Sequence, residues 1–156
     1  MKQMTFNNRL TFAYDDSFVE MRTEELKNLF VATDNRRGIC DPQRHIVISV
    51  CHSKPGILCY LTDAQNVLRG AECAMKKKLT AYRRYDTYPC TVASKKAYAM
   101  RFEFIAPNAK NVHRGEMLVF RDGNRFYALT FITGADAFEQ NRPTLQEVLS
   151  SLKLCA

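Results

Sequence analysis

Between Asp63 and Arg84 the apolar residues Ala64, Val67, Leu68, Ala71, Met75, Leu79 and Tyr82 recur at three- and four-residue spacing, while Arg69, Lys76 and Lys77 fall mostly outside that stripe. A helix with 3.6 residues per turn gathers such positions on one face, so the pattern predicts a long amphipathic helix from about Asp63 to Arg83 or Arg84. Thr62 and Gln65, three apart, fit a reciprocal capping box at its start. Beyond it the period drops to two. Tyr98, Met100, Phe102 and Phe104 share one face of a predicted strand over Ala97 to Ile105, with Ala99, Arg101 and Glu103 on the other. Further strands are predicted at Thr91 to Ala93, Gly115 to Arg121 and Arg125 to Thr133, the last two joined by a tight hairpin at Asp122-Gly123. Phe126, Ala128, Thr130 and Ile132 alternate with Tyr127, Leu129 and Phe131, so neither face of this last strand is plainly polar, and it is expected to lie centrally, covered on both sides.

The flanks are shorter. Thr5-Phe6 and Leu10 to Tyr14 predict a strand pair or one bent strand, broken by Asp15-Asp16-Ser17. Thr23 is a candidate cap for a short helix, with Glu24 and Glu25 in its first turn and Leu26, Leu29 and Phe30 as its buried edge. Thr33 to Arg44 is polar and punctuated by Asn35, Gly38 and Pro42, which predicts a long loop. The β-branched run from His45 to Cys51 predicts a central strand, ended by Ser53-Lys54-Pro55-Gly56. Asn141 or Arg142, followed by Pro143, is expected to open the last helix, striped by Leu145, Val148, Leu149 and Leu152. No repeat or linker divides the chain, so residues 1–156 are expected to form a single domain.

Composition narrows the class. With 46% hydrophobic and 25% charged residues in 156, the chain is typical of a globular domain with its own core. The first residues carry no apolar h-region, and no window approaches the ~20 apolar residues of a spanning helix, so no membrane role is expected. Cys40, Cys51, Cys59, Cys73, Cys90 and Cys155 are dispersed without a C-x-x-C pair. Free thiols in a reducing cytoplasm are the expectation.

Candidate chemistry is sparse. Phosphate-cradling glycine motifs, H-E-x-x-H and G-x-S-x-G do not occur, and no catalytic set, metal site or cofactor is expected. His45 and His52 are seven apart and point to opposite faces of an unbulged strand, the wrong geometry for a shared metal. Arg101 and Glu103, opposite Arg114 and Glu116 and with Arg121 nearby, could line a polar pocket. The plainer reading, a cross-strand ladder of ion pairs, is preferred. The formal charge of +7, with Arg36-Arg37, Lys76-Lys77-Lys78, Arg83-Arg84 and Lys95-Lys96 beside Tyr82, Tyr85 and Tyr88, permits nucleic-acid binding. Three successive helical lysines spread around the axis, however, and no nucleic-acid motif accompanies them.

The order of elements, the segment Gly123-Asn124-Arg125-Phe126-Tyr127-Ala128-Leu129-Thr130-Phe131, then Asn141-Arg142-Pro143-Thr144-Leu145 and the closing Ser150-Ser151-Leu152-Lys153-Leu154 resemble the Mog1/PsbP-like superfamily, including its small bacterial DcrB-like members. The resemblance implies an α+β fold in which an antiparallel sheet is flanked by helices and used to bind something, without a shared catalytic set. The leading expectation is a non-enzymatic binding or accessory protein of the cytoplasm with a protein partner. Its contact zones are expected at the Thr33–Arg44 loop and the basic surface, and within the loop Arg36 and Arg37 could pair with carboxylate or phosphate. The alternatives are an enzyme or carrier for a small anionic ligand held by Arg101, Glu103 and Glu116, and a nucleic-acid binder.

Overall fold

Period-two alternation runs through the second half of the chain and builds its largest element. In the computed structural model, which describes residues 1–30, 33–53, 61–106 and 109–155, strands β7 (Lys95–Ile105), β8 (Val112–Asp122) and β9 (Arg125–Gly134) form an antiparallel meander. Gly123, at φ +63°, makes the β8–β9 turn as the Asp-Gly pair predicts. A long edge strand, β6 (Thr80–Val92), joins β7. On the other side β9 pairs with β5 (Ile46–Ser53), then β4 (Arg36–Asp41) and the two-residue β3 (Val19–Glu20). The seven-stranded order is β3-β4-β5-β9-β8-β7-β6, with β9 central.

Each face of this sheet buries its own cluster. Ile48, Val50, Leu118, Leu129 and Phe131 point to one side. There they meet Phe138, Leu145 and Val148 of α3 (Phe138–Ser151) and the small sheet formed by β1 (Lys2–Phe6), β2 (Leu10–Tyr14) and β10 (Lys153–Leu154). Met100, Phe102, Phe104, Met117 and Ile132 face the other way, beneath Leu68 and Met75 of α2 (Ala64–Lys78) and Leu26 of α1 (Thr23–Lys27). The α+β architecture of an antiparallel sheet flanked by α2 and α3 is therefore as predicted.

Three boundaries differ from expectation. Helix α2 stops at Lys78, and Leu79 is already extended at φ −94°, ψ 138°. Tyr82 belongs to β6 yet still stacks on Phe102 at 5.6 Å, so the same apolar residue serves the same core from a strand. The Thr33–Arg44 segment is not a loop: Arg36–Asp41 is β4, in register with β5 through Ile39 opposite Ile48. Helix α3 begins at Phe138 rather than near Pro143, which lies inside it. Asn141 is no cap; it is buried, and its Nδ2 donates to Thr133 Oγ1 at 3.0 Å.

Smaller shifts follow local chemistry. Asp63, not Thr62, caps α2, its carboxylate accepting from the Asn66 backbone N–H at 2.8 Å. Helix α1 is entered from Arg22, whose backbone N–H donates to Glu25 Oε1 at 3.0 Å. The expected stop after Ser53 and Cys59 lie in or against the segment outside the described residues.

Candidate functional site

The β7–β8 register sets Arg101 opposite Glu116 and Glu103 opposite Arg114, on the face that α3 covers. Four of the five residues at the expected polar site are thus brought together, and they form the cross-strand ladder. Arg101 Nε donates to Glu116 Oε1 at 2.8 Å, and Arg114 Nη2 donates to Glu103 Oε1 at 2.5 Å. Arg121 is not part of it: the odd spacing from Glu116 turns it to the opposite face, where its Nε donates to the Gly123 carbonyl at 2.8 Å.

Residues that the strand pattern does not single out complete the network. Arg142, on α3, donates to Glu116 from Nε at 3.2 Å and from Nη2 at 3.5 Å. Tyr88, on β6, donates its hydroxyl proton to Glu116 Oε2 at 2.5 Å. Arg83 donates to Glu103 at 3.3 Å, and Asp86 lies 3.9 Å from Arg101. The Arg101 guanidinium stands 5.2 Å over the Tyr88 ring, and that of Arg114 stands 5.0 Å over Tyr85. Tyr85 is itself exposed at this margin of the sheet.

Glu116 is only 1% exposed, and a carboxylate so buried must be paired. Two guanidiniums and a phenol meet that need. Burial, then the neighbouring Glu116 charge, pushes the Tyr88 phenol up to about 12, so at neutral pH it stays a donor. Burial alone would lower Arg101 and Arg142, but their bonds to Glu116 outweigh it and both rise. Hydrogen bonding from Arg114 holds Glu103 below the ordinary carboxylate range, against a smaller opposing effect of burial. Chemically this is a clamp. It ties β6, β7, β8 and α3 together, and both oxygens of Glu116 are already occupied by these donors.

The other expected pair is separated. Arg36 and Arg37 are neighbours on β4 and therefore point to opposite faces. Arg36 lies 4.0 Å over the Phe30 ring and donates to Ser49 Oγ at 2.6 Å, its guanidinium lowered by burial. Arg37 turns outward, bonding Glu20 at 2.6 Å and the Thr5 carbonyl at 3.0 Å. They do not act as one clamp. Among the described residues no group of three or more His, Cys, Asp or Glu side chains gathers as a metal site, and no helix is long and apolar enough to cross a membrane.

A second buried carboxylate lies on the opposite face. Glu72, on α2, accepts from Tyr82 Oη at 2.9 Å, with Arg84 3.5 Å and Lys76 3.9 Å away. Burial and this carboxylate both raise the Tyr82 phenol above its ordinary value.

No family model and no curated protein matches the sequence. Solved structures do match in shape. Cyanobacterial PsbP (CyanoP) from Synechocystis sp. PCC 6803 superposes with a TM-score of 0.68 at 12% identity, covering 99% of this chain and 92% of that one. The Ran-binding protein Mog1p of Saccharomyces cerevisiae gives 0.60 at 10%, covering 98% and 94%. The fold is Mog1/PsbP-like. LpqN, involved in cell envelope biogenesis of Mycobacterium tuberculosis, shares the Mog1/PsbP-like scaffold at a TM-score of 0.61 and 13% identity, covering 94% and 83%. At such identities the likeness is one of fold.

Proposed function

We propose that this chain is a non-enzymatic binding module of the cytoplasm that docks another protein on the outer margin of its large sheet, where β6 meets the ionic ladder. The observation that carries the reading is the closure of the ladder: Arg101 and Arg142 are taken up by Glu116, Arg114 by Glu103, and the surface they make is a wall. A carrier or enzyme using these residues would need them facing an enclosed space. On the rim of the wall stand Arg83 and Tyr85, both exposed. Arginine and tyrosine are enriched among residues that dominate binding energy at protein interfaces. The net charge of +7 favours a partner whose surface carries carboxylates.

The cytoplasm is supported by five described cysteines that are all unpaired. Kinship with the small DcrB-like members is part of the same proposal and rests on the Gly123–Phe131 and Ser150–Leu154 segments. Mog1p, a Ran-binding protein, has the same fold, which supports a binding role and says nothing of the partner.

The test is affinity capture from extract with the wild-type chain, followed by calorimetry on each purified interactor. The double substitution Arg83→Ala with Tyr85→Ala, both at exposed positions, is expected to weaken a true partner about tenfold or more. An exposed control on another surface, Glu24→Ala, should leave affinity unchanged. Undiminished binding by the double variant would overturn the site, and retention of nucleic acid alone, with steep salt dependence, would overturn the reading.

A further inference from the structure

We infer that the end of the molecule where three hairpins turn back is a binding site for a compact polyphosphate, several phosphate groups carried on one small head. This goes beyond protein docking and uses no residue of the β6 margin. The β6–β7 and β8–β9 turns close side by side. The β1–β2 turn is tied to them by Arg9, which donates to Asp122 at 2.8 Å, and β10 runs beside the start of β2. These elements bring together Arg9, Lys95, Lys96, Arg125 and Lys153 around a single carboxylate, that of Asp122. The surplus is four positive charges, in a chain whose net charge is +7.

That surplus is local. Lys95 stands 3.8 Å from Asp122, but Lys96, Arg125 and Lys153 have no ion-pair partner among the described residues. At the opposite end of the sheet Asp41 and Asp136 balance Arg44 and Lys110. Like charges held this close repel one another, and an anion placed among them relieves the repulsion.

Charge and spacing then choose the ligand. A phosphate monoester brings about −1.5 to −2 charges and three strong acceptor oxygens, so about two or three on one head match the surplus. A lone carboxylate does not: Asp122 engages two of the bases and leaves the others. Neighbouring strands lie about 4.8 Å apart and facing sheets about 10 Å, which confines the cationic tips to an area roughly 10 Å on a side. An open hollow of about 570 Å³ lies among them, lined by Arg9, Ser94, Lys95, Asp122 and Lys153 among others. Small-ligand sites span about 300–1,000 Å³, so one compact head fits. The tips themselves, Asn7-Asn8, Ala93-Ser94 and Gly123-Asn124, carry no aromatic or large apolar side chain. They offer nothing for a base to stack on and no helix for a groove, which disfavours nucleic acid.

The test is calorimetric titration of the intact chain with inositol hexakisphosphate. Saturable binding is expected, weakening as salt is added, with orthophosphate at least about tenfold weaker. Lys95→Ala with Lys153→Ala, both at exposed positions, should lose about tenfold or more. Lys77→Ala with Lys110→Ala removes the same charge from exposed positions elsewhere and should leave affinity unchanged. Phosphatidylcholine vesicles doped with phosphatidylinositol bisphosphate distinguish the source. Sedimentation with them that the Lys95 and Lys153 substitutions abolish would place the head on a lipid, and binding of the free head alone would place it on a soluble molecule; either supports the site. Absence of saturable binding, equal losses in the two double variants, or tighter binding of a duplex oligonucleotide than of the inositol phosphate would each overturn the inference. Because Arg83 and Tyr85 are untouched, failure here is separable from failure of the docking site.

Discussion

Substituting Glu116→Gln tests the clamp directly. The amide keeps the shape of the side chain and an acceptor for Tyr88, but it removes the charge that Arg101 and Arg142 share at 2.8 and 3.2 Å. Breaking a buried ion pair costs about 3–5 kcal/mol when the surviving charge stays buried. Here the surviving guanidiniums are 23% and 25% exposed, and Asp86 lies 3.9 Å from Arg101. Part of the penalty is therefore relieved by solvent and by that carboxylate, which brings the expected loss to about 2–3 kcal/mol. For a domain of this size each kcal/mol moves the melting point about 2–4 °C, so a drop of roughly 4–12 °C should accompany it. Urea unfolding is the assay, read as a lower midpoint at unchanged slope. A companion variant, Glu116→Leu with Arg101→Met, Arg142→Met and Tyr88→Phe, removes the three charges that meet at Glu116 together with the phenol that donates to it and should recover much of the loss, because their desolvation penalty disappears with them. If Glu116→Gln unfolds within about 0.5 kcal/mol of wild type, the range of ordinary surface substitutions, the reasoning fails.

Three further outcomes follow from particular contacts. A Cβ at Gly115 would meet the Phe102 ring at 2.5 Å, and Phe102 is fully buried, so Gly115→Ala should destabilise by about 1–3 kcal/mol. Gly123→Ala meets no atom and should cost only the about 1–2 kcal/mol of a positive φ; equal stability of both variants with wild type in urea would contradict these contacts. Glu103, whose pKa is lowered on folding, contributes stability that is complete above its unfolded value near 4.5 and is lost as pH falls through the folded value. Glu103→Gln should therefore differ most from wild type at neutral pH and converge with it in acid, in denaturant midpoints taken from pH 7 to 3. Cys73 and Cys155 are exposed, whereas burial raises the thiols of Cys40, Cys51 and Cys90. Timed alkylation with peptide mass spectrometry should label the first two fastest, and prompt labelling of Cys51 would count against its burial.

The meander was legible because β7 alternates over most of its length, β9 reads as a strand covered on both faces, and the β8–β9 turn carries the Asp-Gly pair that positive φ demands. The other hairpin hides its turn. Ala93 and Ser94 take φ of +50° and +66° between β6 and β7, a conformation neither residue type advertises. The end of α2 was hidden by degeneracy: Met75, Leu79 and Tyr82 continue a helical stripe, and no Gly or Pro intervenes. Ala81, at φ +55°, falls where the β6–β7 register shifts, which lets Tyr82 return to the core although the helix has ended. Strand β4 reads as a loop because only Ile39 in it is large and apolar. Its glycine is explained by packing, since a Cβ at Gly38 would meet Leu26 at 2.7 Å. The ladder could be drawn from strand register, but its third dimension could not. Arg142 sits in a helix that looks as if it starts at Pro143, and nothing in its spacing points to Glu116.

The position of the clamp follows from where the covering layers run out. Helix α3 and the small sheet seal the central strands β5, β9 and β8 with apolar side chains, and at the margin that cover ends. An apolar edge there would leave β6, with thirteen residues and one unpaired side, open to any extended chain. Instead β6 carries two register shifts, Pro89 and the charges of Arg83, Arg84 and Asp86, all devices that oppose edge-to-edge pairing. Those same charges turn inward on both faces, Arg83 to Glu103 and Arg84 towards Glu72. The edge strand is thereby fixed through side chains on each side of the sheet while its backbone is kept from recruiting a further strand. On the proposed docking, a partner meeting this margin would find guanidinium and phenol groups, and recognition would proceed through side chains and not through strand addition.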